Sequence, residues 1–172
     1  MEIWDLYDDE RQKTGRTMVR GEAIPEGMGH LVVHVAIFNP WGEMLIQQRQ
    51  PFKQGWSNMW DITVGGSAVA GDTSRMAAER ETLEELGLRL DLSRERPRLT
   101  INFDGGFDDV YVLVQDVALD SLTLQESEVQ AVRWATEEEI HRMIDEGTFI
   151  PYHKAMITLL FHLRDHHGTH TR

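Results

Sequence analysis

Residues Gly66–Leu88 read GSAVAGDTSRMAAERETLEELGL, and the fold turns on how that stretch is read. Asp72 or Thr73 can cap a helix over Thr73–Leu86, and Gly87 stops it at the position where a left-handed residue is wanted. Met76, Leu83 and Leu86 supply its expected apolar stripe. At about 100° per residue, Glu81, Glu84 and Glu85 gather on the other side of the helix. Three ionised carboxylates on one face repel one another. A hard divalent cation with oxygen ligands is the simplest agent that would make the cluster favourable; the bland alternative is a solvated acidic face. Gly65-Gly66, just before the helix, allows close backbone approach and a carbonyl directed into a site.

Working outward, Trp60–Val64 is expected as a short strand running into those glycines, after an irregular Pro51–Met59. His30–Phe38 and Glu43–Arg49 read as a hairpin about the turn Asn39–Gly42. Ile3–Tyr7 and Thr14–Val19 suggest a second hairpin with an acidic turn, followed by a loop over Gly21–Gly29. Downstream, Arg98–Phe103 and Val110–Val117 are expected strands separated by the loop Asp104–Asp109, and Val129–Trp134 is another. Thr136 caps a helix over Glu137–Glu146, and a last helix near Tyr152–Arg164 presents Met156, Leu159, Leu160 and Leu163. Strands mixed with three helices predict an α/β sandwich. Residues 1–29 are expected to pack as a hairpin and loop on a domain over 30–165, with 166–172 a flexible tail.

The composition suits one folded domain: 172 residues, 41% hydrophobic and 27% charged. No cysteine is present, which excludes disulfides, thiolate metal sites and cysteine nucleophiles. Lys+Arg total 17 against Asp+Glu 29, a net charge of −12, and such a surface repels phosphate backbones and anionic lipids. The expected partner is a small molecule, with no nucleic acid and no membrane. The acidic start MEIWDLYDDERQ lacks the regions of a signal peptide, and LVVHVAIF is far short of a membrane span, so a cytoplasmic location is expected.

The stretch resembles the Nudix family, whose box reads G-x5-E-x7-R-E-U-x-E-E-x-G-U with U apolar. Gly66, Arg80, Glu81, Glu84, Glu85, Gly87 and Leu88 match at the required spacing, while Asp72 replaces the first Glu and Thr82 an apolar residue. The resemblance implies a Nudix-type α/β/α sandwich with a mixed β-sheet and metal-dependent hydrolysis of a diphosphate linked to another group. It implies Mg²⁺, or Mn²⁺, held by Glu84 and Glu85, with Glu81 a further ligand or the base and the Gly65 carbonyl completing the shell. The general base stays open among Glu81, Glu84 and Glu85. Arg80 would hold the loop and helix by pairing with Asp72, one methylene shorter than the usual Glu and so expected to be looser or bridged by water.

A further acidic ligand is expected from outside the box, at Asp108 or Asp109, against a plain acidic turn; Glu126 and Glu128 read as facing solvent. Arg49 resembles the family arginine that contacts the diphosphate, with a surface ion pair as the alternative. Trp56 could stack on a base or pack, and Trp60 reads as packing. His30–Gly66 further resembles isopentenyl diphosphate isomerase, whose Cys-Gly-His triplet is here Gly65-Gly66-Ser67. The isomerase cysteine and histidine ligands are therefore missing, although Asp109 falls near its metal-binding glutamate. His30 and His34 read as packed or hydrogen-bonded rather than as ligands. A nucleoside di- or triphosphate is the expected substrate, another organic diphosphate the runner-up. An isomerase-like enzyme and a non-catalytic nucleotide-sensing module are the alternatives, and the hairpin and last helix could build a homodimer.

Overall fold

The computed structural model describes residues 1–170. Its strands are β1 (Ile3–Tyr7), β2 (Lys13–Val19), β3 (His30–Phe38), β4 (Met44–Arg49), β5 (Trp60–Asp61), β6 (Val64–Ser67), β7 (Leu99–Phe103), β8 (Gly106–Val114) and β9 (Val129–Ala135). The helices are α1 (Ser74–Leu86), α2 (Glu137–Asp145) and α3 (Lys154–Leu163). β1 and β2 form a sheet of their own, and the other strands form a mixed sheet in the order β5-β4-β3-β8-β7, with β6 on β3 and β9 on β4.

β3 is the centre. It runs parallel to β8 from His30↔Gly106 to Phe38↔Val114, and its apolar run is covered on both faces, as an interior strand of a mixed sheet requires. Leu31, Val33, Val35 and Ile37 pack with Ala77, Ala78 and Leu86 of α1. On the other face, Ala36 and Phe38 pack with Ile140 and Met143 of α2 and with Ile157, Leu160 and Phe161 of α3. These three layers make the α/β/α sandwich.

Several expected boundaries shift. The strand expected over Trp60–Val64 is broken, because Asp61 still pairs with β4 while Val64 already pairs with β3. Between them Thr63, fully buried, accepts a hydrogen bond from the Ile37 amide (2.9 Å) and donates one to the Leu45 carbonyl (2.5 Å). It bridges β3 and β4, whose direct ladder is confined to Phe38↔Met44. Asp108 and Asp109 lie on β8 rather than in a loop, because the strand already begins at Gly106.

The stripe expected on α1 is also corrected: Met76 and Leu83 are exposed, and the buried residues are Ala77, Ala78, Thr82, Glu85 and Leu86. Small side chains let the helix lie close on β3 and β6, and this rotation turns Glu85 inward. Thr82 satisfies its buried hydroxyl on the Ala78 carbonyl at 2.8 Å. Thr73, not Asp72, caps the helix, and Gly87 ends it at φ 65°. Thr136 and Glu139 form a reciprocal capping box on α2. In α3, Leu159 is exposed and Ile157 and Phe161 take inward places.

The hairpin lies against the start of the α1 loop: the Gly71 amide donates to Asp5 (2.8 Å), and Lys13 Nζ donates to the Asp72 carbonyl (2.9 Å). Of the segment 166–172, His167 touches Arg98, and 171–172 fall outside the described residues.

Replacing Thr63 by Val keeps its shape but strands the Ile37 amide in the core. Urea unfolding is expected to show a loss of about 1–3 kcal/mol; unchanged stability would mean that the bridge does not hold the two strands together.

Candidate active site

Where β3 and β4 part, β5 and β6 enter the wedge and leave a cavity of about 770 Å³ lined by residues of every neighbouring element. α1 contributes Glu81, Glu84 and Glu85; β6 contributes Gly65 and Gly66; β4 ends in Arg49; and Trp56 comes from the segment after it. His34, Asp61 and Tyr152 close the floor.

The three glutamates sit in different surroundings. Glu85 is buried and accepts a 2.7 Å hydrogen bond from Gln47 Nε2, which also donates to the Thr63 carbonyl. Burial pushes its pKa up to about 8. Glu81 is raised as well, by burial that outweighs the adjacent Arg80. Half of the Glu84 side chain is exposed. The acidic face is thus neither uniformly solvated nor uniformly buried.

Arg80 organises the cluster. Its Nε and Nη2 donate to one oxygen of Asp72 at 3.1 and 3.0 Å, while Nη1 reaches Glu81 (2.9 Å) and Glu84 (3.2 Å). The pair with the shorter Asp72 is direct, not loosened or water-bridged as its length suggested. Among the described residues no three His, Asp or Glu side chains converge into a ready metal cage. Glu81 and Glu84 turn to the guanidinium, which partly offsets their repulsion.

The two glycines are steric necessities. A Cβ on Gly66 would lie 2.3 Å from the Glu81 carboxyl carbon, and one on Gly65 would lie 2.5 Å from the His34 ring. Consecutive strand residues face opposite sides, so Gly66 admits the glutamate on one face of β6 and Gly65 the imidazole on the other. Both side chains then reach one cavity.

Asp109, expected as a further ligand, stands outside the cavity lining. β8 alternates sides, and Asp109 lies on the α1 face with Phe107 and Tyr111, bonded to Arg11 (3.0 Å) and Thr100 (2.6 Å). Its neighbour Asp108 turns the other way, to His34 Nδ1 at 2.7 Å. Burial alone would lower the His34 pKa, but Asp108 reverses this and raises it. Glu128, expected in solvent, lines the cavity and pairs with Lys53 at 2.5 Å. His30 stacks on Trp4 with ring centroids 4.1 Å apart, and Trp60 packs against the α2–α3 side of the core.

Asp61 and Tyr152, which also line the cavity, belong to no motif in the sequence. The Tyr152 hydroxyl donates to Asp61 at 2.7 Å, and burial raises both pKa values. A carboxylate in so short and apolar a strand was the available signal for Asp61. Tyr152, beyond Pro151, carried none.

Residues 28–159 match the NUDIX domain family. The chain belongs to that family. It is similar to uncharacterised Nudix hydrolases of Listeria monocytogenes, at 47% identity over 165 residues and 96% of each chain, and of Listeria innocua, at 48% over the same coverage. A crystal structure from Deinococcus radiodurans shares the fold at a TM-score of 0.73 and 23% identity, covering 92% of this chain and 97% of that one. The protein is accordingly a pyrophosphohydrolase acting on a small molecule, in a family that generally uses divalent metal ions.

Because the folded-state pKa of Glu85 is above the ordinary carboxylate value, its contribution favours the fold at low pH and is lost as pH rises through about 8. In chelator-treated protein, Glu85→Gln is expected to flatten the decline in unfolding free energy from about pH 5 to about pH 9. Parallel declines in the two proteins would contradict the burial argument.

Proposed function

We propose that the cavity hydrolyses a nucleoside di- or triphosphate, with another organic diphosphate as the runner-up class, using Mg²⁺ or Mn²⁺. The observation that carries this reading is Arg49. Among the described residues its guanidinium makes no ion pair, and Nε is buried without a hydrogen-bond partner, in a cavity whose other cations, Arg20, Lys53 and Arg80, are each paired with a carboxylate. A phosphate satisfies that cation with charge-assisted hydrogen bonds.

The carboxylates of Glu81, Glu84 and Glu85 and the carbonyl of Gly65 are the hard oxygen donors that a divalent cation prefers. A buried carboxylate with its pKa near 8 is costly to ionise alone, and a cation beside it removes that cost, so the donor set fits the ion. When bound, the ion supplies Lewis-acid charge that offsets repulsion between glutamates and diphosphate.

The rest is the work of the chain. Arg49 holds the phosphate across the cavity from α1. One of Glu81, Glu84 and Glu85 takes the proton of the attacking water; burial has already raised Glu81 and Glu85 toward the range in which a base works at neutral pH. Arg80 keeps Glu81 and Glu84 aimed. Trp56, about half exposed at the rim, offers a flat face for a nucleobase. Water attacks phosphorus in line with the leaving oxygen and the diphosphate bond breaks. An isomerase reading is not favoured, since the chain has no cysteine to place beside Gly66. No described helix is long and apolar enough to cross a membrane, and the net charge of −12 supports a small-molecule partner.

The test is release of phosphate, pyrophosphate or monophosphate from nucleotides, sugar nucleotides, dinucleoside polyphosphates and isopentenyl diphosphate, with Mg²⁺ and then Mn²⁺. Glu84→Gln is expected to lower turnover by about a hundredfold or more with little change in melting temperature, since the side chain is half exposed. Undiminished turnover in the variant would overturn the reading.

A further inference from the structure

A second concavity, of about 620 Å³, shares no lining residue with the catalytic cavity and has the opposite charge. Arg11, Arg94, Arg96 and Arg98 line it, against two carboxylates, Glu95 and Asp109. In a chain of net charge −12 this is a local reversal of sign.

One wall is rigid. Arg11 stands at the tip of the β1–β2 hairpin in a left-handed conformation, φ 61°, that side-chain-bearing residues seldom adopt. Its Nη2 reaches both oxygens of the buried Asp109 at 3.0 Å, Nη1 donates to Thr100, and the guanidinium lies 4.2 Å above the Phe107 ring. Asp109 is thereby consumed and neutralises none of the other arginines.

The second wall is the run Arg94-Glu95-Arg96-Pro97-Arg98 before β7. Arg98 is anchored by its backbone amide on the Val110 carbonyl, at 2.8 Å, and its side chain is only 15% exposed. Its Nη1 lies against His167, its Nε is buried without a hydrogen-bond partner, and its one carboxylate neighbour, Glu95, is 3.7 Å away. A buried donor without an acceptor is costly, and a guanidinium fork matches phosphate oxygens. Arg94 and Arg96 are exposed and make no ion pair among the described residues.

We propose that this concavity is a second anion site, which takes a small phosphate-bearing anion of the pyrophosphate class away from the glutamates. Arg98 supplies its fixed cation beside the wall made by the Arg11–Asp109 pair, and Arg94 and Arg96 close over the ligand. The site does not depend on the reaction assigned to the first cavity.

The probe is inorganic pyrophosphate, titrated calorimetrically in chelator, with Arg49→Ala reporting any binding that belongs to the catalytic cavity. Wild-type protein is expected to show saturable binding that weakens steeply with salt. Arg94→Glu with Arg96→Glu, both on exposed side chains, should weaken it at least about tenfold without changing the melting temperature. Arg98→Lys, which keeps the charge and loses the Nε–H, should also weaken it. Arg49→Ala, in the other cavity, should leave it intact. Absence of binding by the wild type, or binding lost in Arg49→Ala and kept in the double reversal, overturns the proposal.

Discussion

The sheet is not closed between β3 and β4, and the buried hydroxyl of Thr63 makes that opening tolerable. Two strands that diverge inside a core leave amides and carbonyls without partners, each costly where water is absent. Thr63 answers for both sides, taking the Ile37 amide and giving to the Leu45 carbonyl. The chain therefore leaves β4 after β5 and joins β3 as β6, and the wedge between them becomes the catalytic cavity. Gln47, which donates both to the Thr63 carbonyl and to Glu85, ties the same opening to the carboxylates.

Charge is distributed around that wedge with a definite division of labour. Arg80 holds Asp72, Glu81 and Glu84 through one guanidinium, which ties the loop to the helix it leads into. Glu85 has no cation and stands at the bottom, where burial favours its neutral form. Arg49 is the complement, a cation without a carboxylate across the same space. The hairpin β1–β2 lies outside residues 28–159 that match the family, yet Asp5 and Lys13 hold the loop at Gly71 and Asp72. The segment outside the match thus braces the loop on which the glutamates depend.

Local chemistry was legible along the chain. The caps at Thr136 and Gly87, the central apolar strand and the gathering of Glu81, Glu84 and Glu85 on one helix face follow from short-range hydrogen bonding and periodicity, while the places of Gly66 and Arg80 were legible through the resemblance to the family box. The α/β sandwich followed from the alternation of element types. The α1 stripe misled because hydrophobicity alone favoured Met76 and Leu83. Close approach to the sheet instead selected the small Ala77 and Ala78.

What only the tertiary structure decided was which side chains meet. The start of β8 at Gly106 sets its parity, so that Asp108 turns to His34 while Asp109 turns to Arg11. Tyr152 and Asp61, far apart in sequence, meet because α3 packs on the sheet beneath the wedge. Whether Arg49 pairs with a neighbour or stands alone, and how the run from Arg94 to Arg98 meets Arg11, depend on the packing of remote segments. The sequence by itself determined the elements and the residue types at the box, because those rest on interactions within a few residues. Register, helix rotation and the sign of each cavity came from the packed fold, because they rest on contacts between segments distant along the chain.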